Sequence, residues 1–303
     1  MSDSVKSKNF MTAVIRLMRP KHYIKNFLVF VSVFFTQNLF NVPLLLRVGV
    51  GFVSFCLLSS VIYIMNDIND VEADRNHEVK RNRPIASGQV SIPAAYVLAA
   101  VLLVTAFVIC VLSKFTVPCF IVMVCYFLVN LGYSMGLKNV PILDIVLLVS
   151  GFLLRVLFGA AIIGSSVSSW VYLTVIALSF YLGLGKRRNE LNKAGTSGST
   201  RKVLQFYTYA FLDKFMYLCL TLAIAFYALW SADEAIAVKY GTDKLIWTVP
   251  FVIVLMMKYS ADIESGSYGD PVDVILHDKV LVILALIFGA TLFGLVYVPS
   301  LLS

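Results

Sequence analysis

The chain alternates long apolar runs with short polar breaks. Nine runs stand out, at about 24–40, 44–65, 93–113, 116–134, 141–163, 169–185, 207–231, 245–258 and 280–298. A helix of roughly 20 apolar residues crosses a hydrocarbon core of about 30 Å, and most of these runs meet that length. The first and eighth are short and would have to tilt, extend or re-enter. Apolar residues within the runs are continuous, not alternating, which predicts helices in place of barrel strands. The expected fold class is all-α, a polytopic membrane protein with nine transmembrane helices.

Composition agrees with that pattern. Of 303 residues, 59% are hydrophobic and 14% charged, too few polar groups to cover a soluble domain of this size. The first ten residues, MSDSVKSKNF, lack a signal peptide's order of basic, apolar and small-residue regions, so they are expected to stay on the mature protein. The five cysteines fall in or at the ends of apolar runs and form no Cys-x-x-Cys pair, which argues against disulfides and zinc. They read as small packing residues. Gly151, Gly159 and Gly164 in the fifth run read as close-packing positions.

Charge then sets orientation. With nine spans, 19 of the 25 Lys and Arg fall on the side that holds the N-terminus. That bias predicts a cytoplasmic N-terminal segment, 1–22, and cytoplasmic loops at 66–92, 186–206 and 259–279 in a single domain covering 1–303. Charge of +8 confined to one face, with no basic aromatic domain outside the membrane, excludes nucleic acid as a partner. Oligomeric state stays open at this level, a homo-oligomer included.

The stretch YIMNDINDVEADRNHEVKRNRPIASG, 63–88, carries five carboxylates alongside cationic side chains at the end of an apolar run. Charges so near hydrocarbon need a metal, a phosphate or a pairing network. At roughly 100° per residue, with Asn66 as zero, Asp70 falls near 40°, Asp74 near 80° and Asp67 near 100°, while Glu72 points away at about 240°. Four oxygen-bearing side chains on one face suit Mg²⁺ shared with a substrate diphosphate.

The spacing Asn-Asp-x-x-Asp-x-x-x-Asp from Asn66 to Asp74, followed by KRNRPIASG, resembles the first aspartate-rich motif of the UbiA superfamily of intramembrane transferases. RPKHYIKN at 19–26 is similar to that family's opening motif. The resemblance implies nine helices bundled around a central cavity under cytoplasmic cap loops, with Mg²⁺ held by Asn66, Asp67, Asp70 and Asp74.

Prenyltransferases of the superfamily carry a second Asp-rich motif where this chain reads GLGKRRNELN, 183–192. On a helix Lys186, Glu190 and Arg187 fall at 0°, about 40° and about 100°, with Arg188 opposite. A mostly cationic face replaces the carboxylates and suits direct phosphate binding. This stretch, together with KYSADIESGSYGDPVDVILHDK at 258–279, resembles the polyprenyl-phosphate phosphoribosyltransferase branch. The branch implies phosphoribosyl pyrophosphate as donor, a polyprenyl phosphate lipid as acceptor and the inner membrane as location. Three phosphate-bearing groups would draw on Lys25, Lys80, Arg81, Arg83, Lys186 and Arg187, with Asp67, Asp70 and Asp74 as the catalytic acids.

Other candidates are less sharply defined. Tyr259, Asp262, Asp270 and Asp273 are candidates for metal, water or ribose contacts, although Asp270-Pro271-Val272-Asp273 equally has the form of a helix start. Asp144 and Arg155, three turns apart, share a helix face and suit either ion pairing or pocket electrostatics. His22, His77 and His277 lack mutual metal-ligand spacing. The rival readings are a prenyltransferase proper and, from another class, a transporter of anionic metabolites, against which stands the lack of an obvious inverted repeat.

Overall fold

The structure, a computed structural model, describes residues 2–165, 167–197, 202–264, 274 and 277–302. Among these no strand occurs. The α-helices are α1 (Ser2–Met18), α2 (Val31–Phe35), α3 (Val42–Asn69), α4 (Val71–Arg75), α5 (Ile92–Leu112), α6 (Val117–Ser134), α7 (Leu143–Ile163), α8 (Ser169–Ser197), α9 (Tyr209–Ala232), α10 (Glu234–Tyr240), α11 (Val249–Glu264) and α12 (Lys279–Leu302).

Eight helical segments among the described residues are long and apolar enough to span a membrane: those of α3, α5, α6, α7, α8, α9, α12, and Lys244–Glu264, which contains α11. The protein is an integral membrane protein. The run expected at 24–40 is not one of the eight. It consists of a 3-10 helix, Pro20–Phe30, continued by α2. Two expected loops are also partly helical: α3 continues to Asn69, and α8 runs through the charged stretch to Ser197.

Local signals explain where the spans begin. The Asn41 side chain caps α3 by accepting from the Leu44 amide at 3.3 Å, Ser91 caps α5 through Ala94 at 3.4 Å, and Thr208 caps α9 through Phe211 at 3.1 Å. Proline stands in the first turn of α3, α5 and α6, where the missing N–H costs no hydrogen bond.

Two compact units make up the chain. The first comprises residues 1–33, 38–138 and 154–165. Its core layers Phe55, Leu58 and Ile62 of α3 with Ala106, Cys110, Met123, Tyr126 and Phe158. A second cluster gathers Leu17, Ile64, Ile68, Ile85 and Val90. Gly159 lets α7 approach the 3-10 helix so closely that a Cβ there would stand 2.0 Å from the Val29 carbonyl oxygen. The packing expectation for Gly159 is met, while Gly164 sits at φ +71° at the end of α7.

The second unit comprises residues 34–37, 139–153 and 166–303. Its core joins Ile145, Val149, Tyr181 and Leu184 to Leu204, Tyr207, Leu212, Met216, Met256 and Ile263.

Candidate functional site

In the first unit the acids cluster where α3 stops. Asp70 is the C-cap of α3, so Asp74 lies on the separate short helix α4 and not on a continuation of one helix. Asp67 and Asp74 are both buried. They converge on one nitrogen: Arg83 Nη1 donates to Asp67 Oδ1 at 3.1 Å and to Asp74 Oδ2 at 2.6 Å. Arg19 also donates to Asp67, while its guanidinium covers the Tyr63 ring at 5.2 Å. Lys138 Nζ lies 2.6 Å from Asp70 Oδ1, and Ser134 donates to Asn66 Oδ1 at 2.6 Å. Glu72 points elsewhere, pairing with Arg75 at 2.9 Å.

This geometry separates the expected ligand set. Asp67 and Asp74 already gather around a cation, with Arg83 standing in for one, whereas Asp70 turns to Lys138. Among the described residues no three His, Cys, Asp or Glu gather in a group that could hold a metal ion. The donor chemistry fits Mg²⁺, for Asn66, Asp67, Asp70 and Asp74 offer only hard oxygens. Lys25 and Lys80 are half-buried and Arg81 is exposed. Arg19, Ser134 and Lys138 were not anticipated. The usable sign for Arg19 was its place beside Pro20 in the opening motif, where it adopts φ 55°.

Arg155 lies in this same unit. Its Nε donates to Asn26 Oδ1 at 2.7 Å and its Nη2 to the Tyr126 hydroxyl at 3.0 Å. Its guanidinium stands 5.5 Å from the Phe55 ring centre and 5.0 Å from that of Tyr126.

The second unit holds a different constellation. Arg187 is fully buried and its fork meets two carboxylates: Nε to Asp144 Oδ2 at 2.5 Å and Nη1 to Glu190 Oε2 at 2.5 Å. Tyr207 donates to Asp144 Oδ1 at 2.5 Å and accepts from the Ile142 amide at 2.7 Å. Burial, reinforced by the Asp144 carboxylate, holds the Tyr207 phenol well above its ordinary pKa. Lys186 is half-buried on the neighbouring position of α8, and Arg188 turns to Asp213 at 2.6 Å.

Of the late acidic candidates, Tyr259 is buried against Tyr181, with ring centres 5.9 Å apart. Asp262 pairs with Lys258, which also meets Asp278 at 2.6 Å. Asp278 in turn caps α12, accepting from the Leu281 amide at 2.8 Å, and Lys258 holds its carboxyl below the usual range. Asp270 and Asp273 lie outside the described residues.

Comparison with known proteins follows the same lines. The UbiA prenyltransferase family matches residues 26–232. Decaprenyl-phosphate phosphoribosyltransferase of Corynebacterium glutamicum is 35% identical over 298 residues, covering 96% of this chain and 89% of that one. The enzyme of the same name from Mycolicibacterium smegmatis is 36% identical over 302 residues, covering 96% of this chain and 94% of that one. Among solved structures, a UbiA homolog from Archaeoglobus fulgidus bound to GPP and Mg²⁺ shares the fold with a TM-score of 0.67 at 18% identity, covering 94% of this chain and 99% of that one. Matched along most of its length, the chain belongs to the UbiA prenyltransferase family.

Proposed function

We propose that this protein is a membrane transferase that moves 5-phosphoribose from phosphoribosyl pyrophosphate to a polyprenyl phosphate. The observation that carries the reading is the end of α3, where Asp67 and Asp74 converge on a single cationic nitrogen amid further Lys and Arg. Support also comes from the two bacterial relatives, whose name states this kind of transfer.

An oxygen of the lipid phosphate forms a bond to ribose C1 as the bond from C1 to the pyrophosphate oxygen breaks, the electron pair leaving with pyrophosphate. The acceptor is already an anion, so no strong general base is needed. Direct displacement inverts the anomeric centre from α to β. The chain's task is to neutralise the leaving group, bring two anions together and exclude water.

Asn66, Asp67, Asp70 and Asp74 would hold Mg²⁺, which supplies Lewis-acid charge to the leaving diphosphate when bound. Lys25, Lys80, Arg81 and Arg83 neutralise substrate phosphate at the end of α3. Lys186 does the same on α8. Arg187 has its fork committed to Asp144 and Glu190, so in this reading it positions α8 and its neighbour Lys186. Tyr259 and Asp262 would contribute contacts to water or ribose hydroxyls. The acids and the N-terminus face the cytoplasm, and the membrane is the inner one.

The test is turnover by purified protein supplied with Mg²⁺, labelled phosphoribosyl pyrophosphate and a polyprenyl phosphate. Labelled lipid and pyrophosphate should appear together, and only with all three present. Release of pyrophosphate from a prenyl diphosphate plus an aromatic acceptor, with the sugar donor ignored, would replace this reading with prenyl transfer.

A further inference from the structure

Helix α1 is 17 residues long, about 25 Å, and carries Asp3, Lys6 and Lys8 in its first half. It is too polar to cross a membrane and is not among the eight candidate spans. Yet three large apolar side chains stand outward on it: Phe10, Met11 and Ile15 are 48%, 61% and 52% exposed. Apolar groups gathered on one exposed face outside a membrane span mark a contact surface.

The helix divides into three sectors. With Phe10 as zero and about 100° per residue, Met11 falls near 100° and Ile15 near 140°, so the exposed apolar residues fill one arc. Thr12 and Arg16, both exposed, follow near 200° and 240°. Ala13 and Leu17, both buried, close the circle near 300° and 340°, and both belong to the apolar cluster that holds Val61 and Ile64 of α3. A helix resting on protein in water needs only two sectors. The third, apolar and open, calls for a medium of its own.

The depth of α1 supplies that medium. Ser60 donates to the Met18 carbonyl at 3.0 Å, which pins the last turn of α1 beside α3. The 28 residues of α3 measure about 42 Å, about 12 Å more than a hydrocarbon core of roughly 30 Å. Measured from Val42, the end remote from the acids, Ser60 lies about 27 Å along the helix. The last turn of α1 is therefore level with the boundary between hydrocarbon and headgroups. From that level Arg19 reaches Asp67. Exposed apolar surface continues into the 3-10 helix, where Ile24 and Phe27 are 40% and 58% exposed.

We infer that α1 lies along the bilayer interface on the face that holds the acids, with Phe10, Met11 and Ile15 between headgroups and acyl chains and Arg16 in water. Helices of this kind bury their apolar side about 5–10 Å into that boundary. The three sectors of α1 then meet three surroundings: α3, lipid and water.

Spin labels on single cysteines test this in the full chain, freed of native cysteine and reconstituted into vesicles of phosphatidylcholine and phosphatidylglycerol. Relaxation by oxygen reports lipid, and relaxation by a water-soluble nickel chelate reports water. Val97→Cys, 64% exposed within the α5 span, gives the lipid reference, and Ser87→Cys, at an exposed position of the charged stretch, the aqueous one. Met11→Cys and Ile15→Cys should favour oxygen, as Val97→Cys does, at a depth of about 5–10 Å. Arg16→Cys should favour nickel, as Ser87→Cys does. Nickel access at Met11→Cys and Ile15→Cys equal to that at Arg16→Cys would place the face in water. Exclusion of both reagents would assign it to a protein partner, a second copy of the chain included. Either result overturns the inference, and neither depends on turnover.

Discussion

Arg187 Nε stands 2.5 Å from Asp144 Oδ2, and neither side chain has any exposed surface. Removing one member of such a pair strands the other charge away from water, at a cost of about 3–5 kcal/mol. Arg187→Ala should therefore lower the melting temperature in detergent sharply. Arg187→Met combined with Asp144→Leu should recover most of the loss, because burial of two apolar groups replaces the pair. A melting curve for Arg187→Ala equal to that of the wild type would show that the pair does not anchor α8.

Lys138, in the short 3-10 turn Leu137–Asn139, pairs with Asp70 at 2.6 Å. If Asp70 belongs to the metal site, Lys138→Ala should raise the Mg²⁺ concentration for half-maximal activity by about 10- to 100-fold, as loss of a ligand's partner does elsewhere. Asp74→Asn should remove turnover altogether. An unaltered Mg²⁺ requirement in Lys138→Ala would detach Asp70 from the metal.

The hydroxyl of Tyr207 gives a signature in pH. Its folded pKa is raised, so the protonated phenol stabilises the fold fully below the unfolded value of about 10 and this support is lost as pH climbs through the folded value. Wild type and Tyr207→Phe should differ in melting temperature at pH 8, and the gap should narrow on titration above about pH 10. A gap constant across that range would exclude the phenol as its source.

Backbone proximity makes Gly159 intolerant of growth. Alanine there would put a carbon 2.0 Å from the Val29 oxygen, and overpacking of this kind costs about 1–3 kcal/mol. Gly289→Ala, with nothing within 4 Å, should be neutral or stabilising by up to about 1 kcal/mol. Thermal melting of the two variants side by side distinguishes contact from helix propensity.

Orientation can be read by cysteine labelling in a background free of native cysteine. Ser87 is exposed in the charged stretch and Thr242 lies in the turn after α10. An impermeant thiol reagent should reach the first only from the cytoplasmic side and the second only from the other. Reaction of both from one side would overturn the proposed topology.

Much of this arrangement was legible because apolar runs are continuous and their ends carry capping residues and proline. The acids Asp67, Asp70 and Asp74 could be singled out by spacing alone. Their partners could not, since Arg19 meets Asp67 across 48 residues and Lys138 meets Asp70 across 68. The break at Asp70, at φ −95° and ψ 6°, was invisible for a related reason: helical spacing alone continues through it, and Ile68 and Val71 on either side enter one apolar cluster. Asp144 shares a helix face with Arg155, yet the described pairing is with Arg187, because tertiary packing selects among cations that periodicity treats alike.

The 3-10 helix at Pro20–Phe30 changes the reach of its segment. A 3-10 turn rises about 2.0 Å per residue against about 1.5 Å in an α-helix, so its 11 residues extend about 22 Å. The same 11 residues as α-helix would extend only about 16 Å. Stretching comes at the expense of good hydrogen-bond geometry, and long 3-10 runs are uncommon for that reason. Here side chains hold the thread taut: Asn26 is tied to Ser59, Cys56 and Arg155, and Tyr23 to Ser60. Loosening those ties by Asn26→Leu would let the segment contract toward α-helical pitch and shorten it by up to about 5 Å.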